Sequence, residues 1–282
     1  MKTKTALKQA RPGSESKMKS KPVSDDSKTA NTPKLKDKIA LITGGDSGIG
    51  KAVAILFAKE GADVAISYLK ESKDAKDTKA VIENEYERQC YLLPGDISRE
   101  AHCKQVIKKV IKKFGSIDVL VNNAAIHYET DDFAKLNVKK MKHTFEVNVY
   151  SFFYVTKYAI PYMKRGSAII NSSSVTAYRG SESLVDYSAT KGAIVSFTRS
   201  LAANLVKKGI RVNGVAPGPI WTPLIVSSFD KKRIQQHGKK SPMKRPGEPV
   251  EVAPAYLFLA CDDGSYISGQ FIHPNGGEII NG

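Results

Sequence analysis

Long hydrophobic runs, cysteine and acidic residues are all scarce in this sequence. No stretch approaches the ~18 uninterrupted apolar residues that a membrane-spanning helix needs, so no membrane role is expected. The three cysteines, Cys90, Cys103 and Cys261, include no close pair. This spacing excludes a disulfide scaffold and a C-x-x-C metal or redox site, and it fits a reducing compartment, the cytoplasm. The five histidines share no spacing typical of metal ligands, so no metal site is predicted.

The scarcity of acidic residues leaves a formal net charge of +16, and residues 1–38 carry +7 of it. Residues 1–36 are rich in Lys, Ser, Thr and Pro and have few large apolar side chains, which predicts a basic low-complexity tail or arm. They also lack the apolar segment of a secretory signal. A solvated tail is favoured over nucleic-acid binding, because no aromatic residue lies among the lysines.

From Ile39 onward, short apolar runs alternate with segments of helical periodicity. The predicted strands are 39–43, 63–67, 90–93, 117–121, 167–171, 211–215 and 270–273. The predicted helices are 49–60, 73–87, 99–114, stretches around 138–164, and 186–208. This alternation is typical of βαβ units, and it predicts one α/β domain over residues 37–282. Its core is a doubly wound parallel sheet, a Rossmann-type fold, with helices on both faces.

A glycine-rich segment, TGGDSGIG, joins the first predicted strand to the first predicted helix at residues 43–50. Glycines at such a turn allow a pyrophosphate to approach the backbone, and the helix N-terminus presents free N–H groups to it. A dinucleotide site is therefore predicted, whereas the missing G-K-[ST] disfavours a nucleoside triphosphate. The candidate residues are Gly44, Asp46, Ser47, Gly48, Ile49 and Gly50.

The end of the second predicted strand bears on the choice between NAD and NADP. Dinucleotide folds that bind NAD commonly place a carboxylate there to hold the ribose 2′-hydroxyl. This chain has Tyr68, Leu69 and Lys70 instead. Lys70 would assist a 2′-phosphate, whereas Asp46 in the glycine segment lies near the same position. The sequence leaves NADP and NAD both open.

Four polar residues form a second candidate group. Tyr187 and Lys191 are four residues apart, which places both on one face of a helix. Ser174 follows the end of the fifth predicted strand, at the sheet edge where ligands of parallel sheets bind. Asn148 is a polar residue among apolar neighbours.

The glycine-rich segment and the four polar residues occur in the order and spacing typical of one family. Residues 36–282 resemble the classical short-chain dehydrogenase/reductase family. The resemblance implies that Tyr187 is the general acid in carbonyl reduction and the general base in alcohol oxidation. Lys191, together with the positive nicotinamide of the oxidised cofactor, would lower the pKa of the Tyr187 phenol. Lys191 would also hold the nicotinamide ribose, and Ser174 would bind the substrate oxygen. Asn148 would hold a water that relays protons from Lys191.

The resemblance also implies further cofactor contacts. Asp96 and Ile97 would meet the adenine, and Asn123 and Ala124 the adenosine ribose. The segment after the sixth strand would contact the nicotinamide side through Pro217, Gly218, Ile220 and Thr222. One departure from the family pattern is Ala125, where a glycine is usual.

The substrate-side segment is less informative. Trp221 is equally compatible with a substrate pocket and with a core or interface anchor. Residues 223–245 are predicted to be a long loop with seven basic residues, which fits either an anionic substrate or a solvated face.

The family resemblance implies an NAD(P)-dependent oxidoreductase acting on a small carbonyl or alcohol. Within the family, an aldehyde or ketone reductase is the favoured function. The alternatives are a sugar-alcohol dehydrogenase of the glucose type and a catalytically idle nicotinamide-binding regulator. Enoyl reductases use a longer Tyr-to-Lys spacing and are disfavoured. The resemblance also implies a homotetramer, and residues 11–35 resemble an N-terminal extension of a bacterial subgroup. We expect them to lie as an arm on the enzyme surface or on a neighbouring subunit.

Overall fold

The computed structural model describes residues 33–280, whose centre is a seven-stranded parallel sheet. The strand order is β3-β2-β1-β4-β5-β6-β7, and every neighbouring pair is parallel. This order confirms the doubly wound parallel sheet. The strands are β1 (Ile39–Thr43), β2 (Asp63–Tyr68), β3 (Cys90–Pro94), β4 (Val119–Asn122), β5 (Ala168–Ser172), β6 (Arg211–Val215) and β7 (Phe271–Ile272).

Helices follow the strands and cover both faces of the sheet. A π-helical turn, Glu146–Tyr150, joins α4 to α5. The α-helices of the described residues are α1 (Gly48–Lys59), α2 (Ser72–Tyr86), α3 (Glu100–Phe114), α4 (Val138–Phe145), α5 (Ser151–Ala159), α6 (Thr176–Arg179), α7 (Val185–Leu205), α8 (Pro223–Ser228), α9 (Lys231–Gln236) and α10 (Pro249–Ala260).

Two hydrophobic cores form, one on each face of the sheet. On one face Phe57 of α1 and Tyr256 of α10 are fully buried against the strands. On the other face Cys103 and Ile107 of α3 pack with Leu205 of α7. Cys103 is therefore a small core residue, as its place on the apolar face of the predicted helix indicates.

The chain reverses its direction of growth across the sheet at β1. Strands β2 and β3 extend the sheet on one side of β1, and β4 begins the other side. In open parallel sheets, ligands bind at the carboxyl ends of the strands beside such a switch point. The glycine segment at residues 43–50 follows β1 at this position.

The expectation of a long loop over residues 223–245 is wrong for residues 223–228 and 231–236, which form α8 and α9. Each of these helices has a local start signal. Pro223 occupies the first turn of α8, where its missing N–H costs nothing. The Asp230 side chain accepts a hydrogen bond from the backbone N–H of Arg233 at 2.8 Å and caps α9.

Residues 1–32 of the predicted tail, including most of the expected arm at 11–35, lie outside the described residues. Within the remainder, Leu35 is 1% exposed and belongs to the hydrophobic core. Its backbone N–H donates to the carbonyl of Glu60 at 2.8 Å. Among residues 33–280, no helix combines the length and apolarity needed to cross a membrane.

We expect Phe57→Ala to lower the free energy of unfolding by about 3–5 kcal/mol, because the change leaves a cavity between α1 and the sheet. Urea denaturation followed by circular dichroism measures this loss. The control is Lys59→Ala, an exposed position on the same helix, which should change stability by less than about 0.5 kcal/mol. Equal losses in the two variants would contradict this description of the core.

Candidate active site

A cleft with a volume of about 1690 Å³ opens at the carboxyl edge of the sheet. This volume exceeds the ~300–1,000 Å³ of pockets for one small ligand, so the cleft has room for a dinucleotide and a substrate. Most of the candidate residues from the sequence line it: Gly44, Asp46, Ser47, Gly48, Ile49, Tyr68, Asp96, Ile97, Asn123, Ala124, Ser174, Tyr187, Lys191, Pro217, Gly218, Ile220 and Thr222.

The turn between β1 and α1 has the form of an anion-binding cradle. Gly48 has a φ of +54°, a conformation that favours glycine, and α1 begins there. The N-cap residue Ser47 makes no side-chain capping bond, and the first turn of α1 contains no acidic residue. The backbone N–H groups at the start of α1 are therefore available to an anion, and the residues present fit the pyrophosphate of a dinucleotide.

Gly50 does not line the cleft but controls the shape of the turn. A Cβ atom at Gly50 would overlap the carbonyl oxygen of Gly44 and would lie 2.7 Å from Nδ2 of Asn123. A side chain here would push the turn away from α1. Gly50 therefore acts by allowing close packing of the turn rather than by touching a ligand.

Asn123 fastens the glycine turn to the neighbouring strand. Its backbone N–H and that of Ala124 donate to Oγ1 of Thr43 at 2.9 and 3.1 Å. Its side-chain amide donates to the carbonyls of Thr43 and Gly44 at 3.1 and 3.3 Å. Ser172 in turn donates to Oδ1 of Asn123 at 3.2 Å. The side chain of Asn123 is thus used to hold the ends of β1, β4 and β5 together.

Acidic groups surround the position where β2 ends. Asp46, Glu71 and Asp74 line the cleft beside Tyr68. Burial, followed by the charges of Glu71 and Asp74, raises the pKa of the Asp46 carboxyl above its ordinary value. Lys70 is exposed and does not line the cleft. At the end of β2, a ligand in the cleft therefore meets carboxyl groups and not a lysine side chain.

Asp96 and Ile97 follow β3 on the same side of the cleft. Oδ1 of Asp96 accepts a hydrogen bond from the backbone N–H of Ser98 at 2.9 Å, which orders the turn before α3. Ile97 is buried and packs in the core beneath α3. Together they form a half-polar, half-apolar wall, which suits the flat aromatic face and the polar edge of an adenine.

Tyr187 and Lys191 both lie on α7 and face the cleft together. Lys191 is only 1% exposed, and its Nζ donates to the carbonyl of Ser172 at 2.8 Å. Nζ also lies 5.4 Å from the ring centroid of Tyr187. Before them on the helix, Asp186 accepts hydrogen bonds from the backbone N–H of Tyr187 at 2.8 Å and from Thr144 of α4 at 2.9 Å, which fixes the start of α7.

Burial dominates the electrostatics of this pair in the protein without a cofactor. Burial raises the pKa of the Tyr187 phenol to about 12, with hydrogen bonding to Ser174 acting in the opposite direction. Burial also lowers the pKa of the Lys191 ammonium to about 7. In the chain by itself Lys191 therefore does not bring the Tyr187 pKa towards neutrality, because the low-dielectric surroundings disfavour both charged forms.

Ser174 lies just beyond β5 with its hydroxyl oriented by neighbours. The backbone N–H of Thr176 donates to Oγ of Ser174 at 3.2 Å, and the Thr176 hydroxyl donates to the same atom at 3.1 Å. Because Oγ already accepts two hydrogen bonds, its own hydrogen is available for donation into the cleft. This arrangement suits an oxygen that gains negative charge during a reaction.

Asn148 does not line the cleft, and its side chain is fully engaged. Its Oδ1 accepts from the backbone N–H of Ile126 at 2.9 Å, and its Nδ2 donates to the carbonyl of Ile126 at 2.8 Å and to the hydroxyl of Thr190 at 3.2 Å. The residue lies in the π-helical turn between α4 and α5. Both amide hydrogens of Asn148 are therefore used within the protein, and π-helical turns of this kind often occur at functional sites.

The segment after β6 forms the other wall of the cleft. The carbonyl of Pro217 accepts from the backbone N–H of Val175 at 3.0 Å, next to Ser174. A Cβ at Gly218 would lie 2.7 Å from Cα of Asn275, so this position also requires close packing. Trp221 is 42% exposed and is not among the residues that line the cleft, although its neighbours Ile220 and Thr222 are.

Sequence reasoning missed several residues of the substrate end. His127, Phe229 and Arg233 line the cleft close to Tyr187. The only signal for His127 was its position shortly after a strand end, since a lone histidine has no pattern. Among residues 33–280 no group of three or more His, Cys, Asp or Glu side chains is placed to hold a metal ion.

Comparisons with known proteins agree with this geometry. A family model described as "Enoyl-(Acyl carrier protein) reductase" matches residues 44–278. The chain is 50% identical to the NADPH-dependent aldehyde reductase 1, chloroplastic, of Arabidopsis thaliana over 96% of each chain. It is 47% identical to the glucose and ribitol dehydrogenase of Daucus carota over 97% of this chain and 96% of that protein.

A solved structure also matches. The 3-ketoacyl-(acyl-carrier-protein) reductase from Brucella melitensis, complexed with NADH, aligns with a TM-score of 0.77 and 32% identity over 86% of this chain and 98% of that one. The resemblance drawn from the sequence is confirmed by these matches. The chain belongs to the short-chain dehydrogenase/reductase family of NAD(P)-dependent oxidoreductases.

Proposed function

We propose that this protein reduces aldehydes or ketones to alcohols with a reduced nicotinamide cofactor. The observation that carries the proposal is the convergence of Ser174, Tyr187 and Lys191 in the cleft beside a glycine turn that fits a pyrophosphate. The 50% identity to an aldehyde reductase supports the same substrate class.

The proposed roles follow from the positions of the side chains. Bound in the cleft, the reduced cofactor supplies a hydride to the carbonyl carbon. Tyr187 gives its phenolic proton to the carbonyl oxygen, which becomes the hydroxyl of the alcohol. Ser174 donates a hydrogen bond to the same oxygen as charge develops on it. Lys191 replaces the proton of Tyr187 through the relay at Asn148 and holds the nicotinamide ribose.

Three other functions compete with this one. A sugar-alcohol dehydrogenase is favoured by the 47% identity to a glucose and ribitol dehydrogenase, and it would use the same residues in the oxidative direction. The family description names an enoyl reductase, but the four-residue spacing of Tyr187 and Lys191 favours chemistry at a carbonyl or alcohol. A catalytically idle regulator would have no need of all three reactive side chains.

We also propose that the enzyme is a cytoplasmic homotetramer. Half-exposed aromatic residues on α5, Phe153 and the adjacent Tyr150, support a subunit contact through the long helices. The ring of Phe153 contacts that of Phe197 of α7, with centroids 4.4 Å apart and planes tilted by 42°, so apolar side chains of the two helices adjoin at the surface. The scarcity of cysteine and the burial of all three thiols suit a reducing compartment.

The direct test of the proposal is Tyr187→Phe. We expect kcat to fall by about 10²–10⁴-fold with a panel of aldehydes and ketones, because the proton donor is lost. Affinity for NADH and NADPH, measured by fluorescence titration, should change by less than tenfold. Tyr162→Phe, at an exposed tyrosine, is the control and should retain full turnover. Unchanged turnover in Tyr187→Phe would overturn the assignment.

Burial of Lys191 predicts a specific pH dependence of stability in the cofactor-free protein. Its pKa is about 7 in the folded state and 10.5 for the ordinary group. Between these values the unfolded chain binds more protons, so stability rises with pH over this window relative to a variant that lacks the amine. Lys191→Met should therefore be stabilised relative to the wild type at pH 6, and this advantage should shrink by pH 10.

Chemical denaturation at several pH values measures that difference. The control is Lys208→Met, at an exposed position just after α7, whose stability difference from the wild type should not vary with pH. A constant difference for Lys191→Met over the same range would show that the buried amine keeps its ordinary pKa.

The acidic surroundings of Asp46 predict an effect on cofactor preference. Removing this carboxylate with Asp46→Asn lessens repulsion of a 2′-phosphate, so affinity for NADPH relative to NADH should rise about tenfold. Asp77→Asn, an exposed position on α2 away from the cleft, should change the ratio by less than twofold. Fluorescence titration with both cofactors measures the ratio, and an unchanged ratio in Asp46→Asn would refute the role of this carboxylate.

A further inference from the structure

His127 occupies an unusual position beside the reactive tyrosine. The residue follows β4 and is 5% exposed. Its imidazole packs edge-on against the ring of Tyr187, with centroids 5.2 Å apart at an angle of 68°. The ring of Phe229, at the end of α8, lies 5.0 Å from it. The imidazole is thus enclosed by two aromatic rings and lines the cleft at the reactive end.

One ring nitrogen of His127 lacks a hydrogen-bond partner. Its Nδ1 is buried and has no hydrogen-bond partner within the part of the chain that the structure describes. Burial, followed by the nearby charges of Arg233, Lys191 and His237, lowers the pKa of His127 to about 4. The ring is therefore neutral near pH 7, with one nitrogen that donates and one that accepts. Buried polar groups without a partner are uncommon, and one at an active site suggests a partner supplied by a ligand.

The segment that covers His127 is itself anchored. Arg233 of α9 forms an ion pair with Glu129, two residues beyond His127. The guanidinium of Arg233 also lies 4.4 Å from the ring centroid of Phe229. Together these contacts hold Phe229 against the imidazole. Because His127 is only 5% exposed, a hydrogen bond to its ring competes little with water and is more favourable than in water.

We propose that His127 is a specificity-determining residue that hydrogen-bonds a hydroxyl group on the carbon next to the reacting carbonyl. This inference rests on the proposed function and names its substrate class as 2-hydroxyaldehydes and 2-hydroxyketones. Tyr187 and Ser174 bind the reacting oxygen, and the imidazole adjoins the Tyr187 ring. An oxygen on the neighbouring carbon therefore comes within reach of His127, while Phe229 covers the carbon skeleton.

The kinetic test compares two three-carbon aldehydes, glyceraldehyde and propanal, which differ in their hydroxyl groups. In His127→Phe the ratio of kcat/KM for glyceraldehyde to that for propanal should fall about tenfold, the loss expected for a neutral hydrogen bond. His127→Gln, which keeps a donor and an acceptor, should restore most of the ratio. Equal losses on both aldehydes in His127→Phe would show a purely structural role and overturn the proposal.

A matched control is His273→Phe. Nε2 of His273 is also buried without a partner among the described residues, but this histidine does not line the cleft. Its replacement should leave the glyceraldehyde-to-propanal ratio within twofold of the wild type. A tenfold fall in this variant as well would show that the ratio reports general repacking and would overturn the assignment to His127.

A binding measurement separates this proposal from the proposed function. If the wild type reduces neither aldehyde with NADH or NADPH, the reductase assignment fails for these substrates, and glycerol and 1-propanol are titrated into the protein with NAD⁺ or NADP⁺ present. The imidazole signal of His127, identified by its loss in His127→Phe, should shift in the NMR spectrum with glycerol and not with 1-propanol. No shift with glycerol would overturn the role of His127.

Discussion

The hydrogen bonds between Asn123 and the end of β1 are the constraint on which the whole cleft depends. They join two strands at the point where the sheet changes its direction of growth, and they involve Thr43, Gly44 and Ser172. The hydroxyl of Ser172 also lies 2.6 Å from that of Tyr256, so the network extends to α10. Because the glycine turn and the end of β5 are fixed to the same side chain, the cradle for a dinucleotide and the reactive residues keep a constant separation. A site assembled in this way needs no large rearrangement to position a cofactor against a substrate.

The reactive end is held in an electrostatically unfavourable state. Tyr187 and Lys191 are ionisable groups in a low-dielectric environment, and burial shifts both pKa values against the charged forms. Burying these two groups costs stability, and strongly shifted pKa values of this kind cluster at functional sites. Asn148 is also fixed by its neighbours. Its side chain is hydrogen-bonded to the backbone of Ile126, and it lies in a π-helical turn that interrupts the regular helix. The polar residues of this end are oriented by other residues before any ligand arrives.

Much of this architecture could be predicted from the sequence because it depends on local patterns. Buried parallel strands appear as apolar runs, and the spacing of Tyr187 and Lys191 fixes their common helical face. Features that depend on a single residue or on distant contacts could not be predicted. The short helices α8 and α9 each begin at one start residue, and six residues are too few to show a helical pattern of apolar positions. The direction of Lys70, away from the cleft, follows from the turn after β2, and the environment of His127 is created by Phe229, about 100 positions along the chain. The pKa shifts of Tyr187 and Lys191 result from burial, which leaves no pattern in the sequence.

The proposed function requires that a hydride passes to a carbonyl carbon in the cleft beside Tyr187. The measurement that tests this directly supplies cofactor deuterated at the transferring position of the nicotinamide, as NADH or NADPH, together with an aldehyde. We expect an alcohol that carries one deuterium on the former carbonyl carbon, formed at a greatly reduced rate by Tyr187→Phe. If aldehydes and ketones are consumed without transfer of deuterium from either cofactor, or are not consumed at all, the protein does not carry out this hydride transfer.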